Sequence, residues 1–363
     1  MSDKKIVSIV RSDLPVDAAR ITEMVREALD LIGGIETFVQ AGSRVVIKPN
    51  IFTPIPPPVS IDRRILGALV RLCRDAGAGE VLVVEGVSVG SLRKRVNVEK
   101  SAAKGSLVRG MSTGEVMGLL GITRAVEDAG GKVLFVEDLE TERVPVPDGK
   151  VLHEVDYPKV ILDADVFIDM PALKTHTMTM VTLGIKNLQG LLTEADRYFG
   201  HRDDLDQHLV DILKVRQPDI TLVDGLIAME GMGAGESGTP VPLGLVLAGT
   251  DVVAVDSVCA RVMGLENPLV VNTTRIAASQ GLGMADPDEI EVAGRTVEAV
   301  AKKFQLPINF TQPIETMVTG VYPNIDVYIG GACRLCWLMA GMVLPQLFKI
   351  GKRPALSVGV DPK

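Results

Sequence analysis

The densest chemistry in the sequence is one stretch, Pro171-Ala-Leu-Lys-Thr-His-Thr-Met-Thr-Met-Val-Thr-Leu-Gly-Ile-Lys-Asn-Leu-Gln-Gly190. It follows the apolar run Val166–Met170, so its first half falls at the carboxyl end of a predicted strand, the edge at which open α/β sheets bind ligands. In an extended loop Lys174 and His176 face the same way, and over a helical 180–192 Thr182 and Lys186 share a face. Backbone amides near 177–182 would add donors for an anion. With Thr175 and Asn187 alongside, these residues predict a basic pocket that takes a small carboxylate or phosphate, with His176 exchanging protons. Taken singly, each of these lysines is equally at home in solvent, and it is their grouping that points to a ligand.

Further candidates sit at other predicted strand ends. Lys48 closes the apolar run in Val45-Val-Ile-Lys-Pro-Asn50, and Asn50 adds amide donors beside it. Asp224 ends a second short strand, and Glu230 follows a loop later. Either carboxylate could accept a proton, bind a cation or serve only as counter-ion. Asp256 lies among valines on an apolar helix, where an ionised carboxylate requires a buried partner. Asp251, just before that helix, reads as its N-terminal cap. The run Gly231-Met-Gly-Ala-Gly-Glu-Ser-Gly238 lacks the Lys-Ser/Thr end of a phosphate loop and precedes a strand, so it reads as a loop or lid. His201, after Gly200, is a further ligand or proton-carrier candidate; His208 reads as a surface residue and His153 as incidental.

The cysteines divide into two kinds. Cys73 and Cys259 fall among apolar helical neighbours and read as small core residues. Cys333 and Cys336 form a Cys-Arg-Leu-Cys pair, which fits a metal site, a redox dithiol or packed thiols. Two cysteines cannot fill a four-thiolate site, yet a symmetric dimer would bring four to one axis and hold a [4Fe-4S] cluster between subunits.

Strands and helices must alternate to position these groups. Strand-like runs at 6–10, 44–48, 80–85, 132–136, 166–170, 220–223 and 243–248 are short and continuously apolar, as in parallel strands covered on both faces. Helical patterns occupy 16–39 (interrupted at Gly33-Gly34), 61–76, 114–129, 205–216, 252–263 and 268–279. The fold class is therefore α/β, a mainly parallel sheet with helices on both faces. Residues 1–319 form the core domain, with excursions near 86–112 and 138–156, the second a small β excursion. Residues 320–363 form a C-terminal arm that carries the cysteine pair, the one tryptophan and two of the four tyrosines, which suits a subunit contact.

Composition limits the partners. Net charge is -8 without a polybasic block, so nucleic acid and anionic membrane surfaces are not expected partners. The N-terminal apolar run is too short for a secretory core, and the apolar stretch 337–348 is shorter than the roughly 20 residues a bilayer requires. The expectation is a cytoplasmic protein, a homodimer through its arm, with a small anionic ligand.

Taken together, Val45-Val-Ile-Lys-Pro-Asn50, the Lys-Thr-His and Gly-Ile-Lys-Asn segments, Val223-Asp-Gly225 with Met229-Glu-Gly231, and Thr250-Asp-Val-Val-Ala-Val-Asp256 resemble the family known as domain of unknown function 362. The similarity spans roughly residues 40–295. The resemblance implies a shared ligand site at the Lys-Thr-His and Lys-Asn positions. It also implies iron-sulfur association, since many members carry an added ferredoxin-like segment. This chain lacks that cysteine-rich module, so a cluster here would be intersubunit, on Cys333 and Cys336, or absent.

Overall fold

The computed structural model describes residues 4–86, 111–193, 196–197, 200 and 204–311, with the backbone of two short strands at 327–329 and 356–358. Twelve strands build the described core: β1 (Lys5–Arg11), β2 (Arg44–Pro49), β3 (Glu80–Glu85), β4 (Lys132–Phe135), β5 (Thr141–Pro145), β6 (Glu154–Pro158), β7 (Val166–Met170), β8 (Ala172–His176), β9 (Met180–Thr182), β10 (Ile220–Gly231), β11 (Gly238–Gly249) and β12 (Ile290–Gly294). The main sheet runs β12-β1-β11-β10-β7-β2-β3-β4, with β8 attached to β10 and β9 to β8. The β10-β7-β2-β3-β4 half is parallel throughout, whereas β11 runs antiparallel to both β1 and β10.

Strand periodicity explains the two-sided core. In β2, Val45 and Ile47 pack with α1 (Ala18–Asp30), α2 (Arg63–Asp75), α3 (Thr113–Leu119) and α4 (Ile122–Asp128) on one face. Val46, between them, points to the opposite face with Leu82, Val84 and Phe167. That second face is covered by α6 (Gly184–Asn187), α7 (Leu205–Val215), α8 (Val252–Val262) and α9 (Asn272–Ser279), and by the hairpin of β5 and β6. A short turn of helix, α5 (Lys159–Leu162), joins that hairpin to β7. The expected β excursion at 138–156 is this hairpin, and its loop is tied down where Asp211 accepts from the amides of Lys150, Val151 and Leu152. Cys73 and Cys259 are buried, as expected.

Three expected elements take a different form. The segment 114–129 is two helices, because Gly121 adopts φ +67° between them. The strands expected at 220–223 and 243–248 are halves of 12-residue strands that pair along their length, with a register shift between Gly225 and Ile227. Their outer halves continue past the carboxyl edge of the sheet, and the Gly231–Gly238 run is the turn that joins them.

The segment 172–192 differs most. Ala172–His176 is a strand and not a loop, and 180–192 is not one helix. β8 pairs with β10 and with β9, aligning Lys174 with Thr182 and His176 with Met180. Thr182 and Lys186 therefore do not share a helical face. Helix starts only at Gly184, where the Asp256 carboxylate accepts from the amides of Gly184 (2.7 Å) and Ile185 (3.1 Å). A side chain at position 184 would enter Val252 and crowd Asp256, so only glycine admits this contact. The buried partner that Asp256 requires is thus a pair of backbone donors that anchors the turn carrying Lys186 and Asn187.

Replacing Asp256 by alanine strands two buried N–H groups and should destabilise the protein by about 3 kcal/mol. Asp256→Asn, which keeps one acceptor, should fall between the two, as urea denaturation midpoints will show.

A basic candidate site at the carboxyl edge of the sheet

Three adjacent parallel strands, β7, β2 and β3, end side by side and deliver polar residues to one place. Lys48 from β2 and Glu85 from β3 form an ion pair at 2.9 Å, the lysine 1% and the glutamate 2% exposed. Both ends of the pair are saturated by backbone. Lys48 also donates to the carbonyl of Pro49 (2.8 Å), while Glu85 accepts from the amides of Ile51 (3.0 Å) and Gly86 (2.8 Å). Gly190 lies directly against the pair, since a Cβ there would stand 2.6 Å from Glu85 Oε1 and 2.7 Å from Lys48 Nζ.

Asn187 joins this pair to the rest of the edge. Its Nδ2 donates to Asp169 Oδ1 (2.8 Å) and to the Lys48 carbonyl (3.2 Å). Its Oδ1 accepts from Asn50 Nδ2 (2.8 Å) and, at 3.4 Å, from Lys48 Nζ. All four hydrogen-bonding positions of the amide are used, which fixes its orientation. Asp169, in register with Lys48 on the neighbouring strand, is fully buried, and burial holds its carboxyl well above the ordinary range.

Above this floor stand two more lysines. Lys174 on β8 is 1% exposed and donates to the carbonyl of Val59 at 2.7 Å. Burial, helped by the charge of Lys186, pushes its ammonium down to about 7. Lys186 is half-buried, donates to Gln189 Oε1, and is pushed down to about 7 by burial and by the charges of Lys48 and Arg197. Neither Lys174 nor Lys186 has an ion-pair partner among the described residues. Arg197 donates to the carbonyls of Gly86 (2.7 Å), Gly190 (2.8 Å) and Leu192 (2.8 Å), clasping the loops around the pair.

The structure thus brings together Lys48, Asn50, Lys174, Lys186 and Asn187. It gives other candidates different work. Thr175 donates to the carbonyl of Gly231 at 2.9 Å, pinning β8 to the ribbon. His176 turns its Nδ1 back to accept from the amides of Met178 (3.1 Å) and Thr179 (3.3 Å), closing the β8–β9 turn and leaving Nε2 as the nitrogen that carries hydrogen. Thr182, aligned with Lys174, keeps a buried hydroxyl with no partner among the described residues. Asp224 accepts from the amides of Asp62 (2.6 Å) and Leu226 (3.1 Å), so it anchors the loop whose Val59 carbonyl meets Lys174. Glu230 lies at the far end of β10 and accepts from the amide of Gln305 at 3.0 Å. His208 is buried, not on the surface, because its helix packs that side into the core beneath Gly200. His201, Cys333, Cys336 and most of the 86–112 excursion lie outside the described residues, as does all of the 320–363 arm apart from the two short strands.

Sequence reasoning missed Glu85, Asp169, Gln189 and Arg197. Glu85 carries the signal that singled out Lys48, a charge ending an apolar strand, and Asp169 carries the signal of Asp256, a carboxylate inside an apolar run. Arg197 acts through backbone carbonyls, which no residue pattern announces. Among the described residues no group of three or more His, Cys, Asp or Glu is placed to hold a metal ion, and no helix is long and apolar enough to cross a membrane.

Four of the shifted groups, Asp224, Asp256, Lys174 and Lys186, set a pH profile. Burial raises the carboxyls of Asp224 and Asp256 from 3.8 to about 7, so the folded state binds protons that the unfolded chain releases, and stability falls as pH rises from 3.8 to about 7. Lys174 and Lys186 are lowered from 10.5 to about 7, so the penalty of their charge is full below 7 and is relieved as pH rises toward 10.5. Together these groups place a stability minimum near neutrality. Unfolding free energies at about pH 5, 7 and 9 will test it, and Lys174→Met should flatten the upper limb.

Three comparisons can be set beside this geometry. A thylakoid-associated protein of Synechocystis sp. is 28% identical over 319 residues, covering 84% of this chain and 88% of its own. The lactate racemase apoprotein from Thermoanaerobacterium thermosaccharolyticum aligns with a TM-score of 0.45 at 13% identity, over 72% of this chain and 57% of that one. A protein from Thermotoga maritima aligns with a TM-score of 0.34 at 13% identity, over 74% and 60%. The chain spans less than two thirds of either solved structure. Residues 45–261, more than half of the chain and all of the site's described lysines, match the family described as domain of unknown function (DUF362), and the chain belongs to that family.

Proposed function

We propose that this protein is an enzyme-like protein that binds a small anion, of the carboxylate or phosphate class, at the carboxyl edge of its sheet. The observation that carries this reading is the charge balance there. The charges of Lys48 and Lys186 bear on Lys174 and those of Lys48 and Arg197 on Lys186, and among the described residues Glu85, the carboxylate that ion-pairs with a lysine of this cluster, is already engaged by Lys48. Burial pushes the carboxyl of Asp169 upward, which works against its carrying full negative charge. Lys174 and Lys186, which have no ion-pair partner among the described residues, would gain from a bound anion.

The accessible part of the site is made of half-buried groups, Lys186, Arg197 and Asn50. The floor of Lys48, Glu85, Asp169 and Asn187 holds their backbones in place. Lys186 and Arg197 would contact the anion directly, and Lys174 would add charge from below. His176, half-buried at the end of β8, would exchange protons at the rim.

A bound anion would restore the ammonium form of Lys174 and Lys186, so binding must take up protons above pH 7. Titration calorimetry with inorganic phosphate and with oxalate, in two buffers of different ionisation enthalpy, measures that uptake. Saturable binding is expected, with affinity falling by up to about a hundredfold per pH unit above 7, about tenfold for each lysine, and at least tenfold weaker in Lys186→Ala. Binding that is absent, or that is unchanged when Lys174→Met and Lys186→Ala are combined, would overturn the reading.

A further inference from the structure

We propose that Lys186 is the nucleophile of this site and that the ligand is a 2-oxo acid, a carboxylate with a ketone or aldehyde carbon beside it, held as an imine. The inference rests on the anion-binding reading above and names its substrate class.

Three features of the geometry single out Lys186 from the other lysines. It is the half-buried one, whereas Lys48 and Lys174 are each 1% exposed and Lys48 is committed to Glu85. Its described hydrogen-bond partner is the neutral Gln189 side chain, an acceptor that takes one N–H and leaves a neutral amine's lone pair free to point elsewhere. It is also pressed by cations from separate elements: Lys48 from β2 and Arg197 from the segment after α6. Lys174 from β8 shares that repulsion from Lys48, and the carboxylate of Glu85 from β3 is paired with Lys48.

The same cations that disfavour an ammonium favour a carboxylate and a developing alkoxide. In a 2-oxo acid the anion and the electrophilic carbon are one bond apart, so binding the carboxylate beside Arg197 presents the carbonyl carbon to Lys186. The step is balanced without an oxidant. The Nζ lone pair forms the C–N bond as the carbonyl π bond opens. The oxygen then takes up the two amine hydrogens and leaves as one water, and the C=N bond remains. A proton taken from solvent gives the iminium, an electron sink for bond breaking at the adjacent carbon.

An ordinary lysine is neutral in only about one molecule in a thousand at pH 7. With its ammonium pushed down to about 7, Lys186 has its amine free about half the time. The probe is glyoxylate, the smallest 2-oxo acid, with cyanoborohydride present to reduce the imine and peptide mapping to locate the adduct. Lys186 should label about a hundred-fold faster than the exposed Lys150, Lys302 and Lys303. Its labelling rate should be half-maximal near pH 7 and suppressed by phosphate, and Lys186→Arg should remove the adduct.

The two readings fail separately. If glyoxylate displaces phosphate in calorimetry yet Lys186 labels no faster than Lys150, the imine is overturned and the anion site stands. If glyoxylate neither displaces phosphate nor labels Lys186 selectively, and phosphate itself does not bind, both are overturned. Competitive labelling of the unmodified protein with trace acetic anhydride guards against a misfolded variant. An Lys186 amine that titrates above about 9 by that measure overturns the proposal.

Discussion

The buried ion pair of Lys48 and Glu85 is the constraint around which the carboxyl edge is arranged. Two charges taken out of water at the ends of adjacent strands are tolerable only when geometry and extra hydrogen bonds offset the desolvation. Every neighbour reflects that demand. Pro49, Ile51 and Gly86 present backbone groups to the pair, Asn187 saturates what is left, and position 190 has no room for a side chain. Removing either charge alone would leave the other buried and uncompensated, so the pair behaves as a unit that fixes how β2, β3 and α6 meet.

From that unit the rest of the site follows by short steps. Asn187 is held by the pair and by Asp169, and it lies in the same turn of helix as Lys186. That turn begins where Asp256 receives two amides through the gap left by Gly184. On the other side, Asp224 fixes the loop whose Val59 carbonyl receives Lys174. Two carboxylates that the sequence offers as catalytic or ligand-binding groups thus serve as buried anchors. Their work is to hold lysines close together in spite of repulsion, and the anion-binding reading proposed above rests on that repulsion.

Much of this was legible beforehand, for identifiable reasons. Continuous apolar runs of four to six residues, punctuated by Gly and Pro, require strands covered on both faces, and the sheet has them. A lysine closing such a run marks the sheet edge, and Lys48 is there. A carboxylate among valines requires a buried partner, and Asp256 has one. The errors arose where pairing partners distant in sequence override local pattern. Residues 180–192 carry a helical spacing, yet Met180–Thr182 pairs with β8 and becomes a strand. The outer half of β10 contains glycine and a register shift that hide its alternation, yet antiparallel β11 keeps it extended. His208 looked solvated beside three aspartates, and packing against the sheet buried it.

By itself the sequence determined the α/β class, the strand ends at which polar groups gather, and the set of lysines and asparagines from which a site can be built, because these depend on local periodicity and on the cost of burying charge. Only the tertiary structure decided which of those groups meet. Glu85 and Lys48 are 37 residues apart and Lys48 and Asn187 are 139 apart, and no local rule relates them. The tertiary structure also decided what each charge does, since an aspartate among apolar residues becomes an anchor according to the amides that surround it. Chemistry was written residue by residue, and proximity and desolvation assigned it.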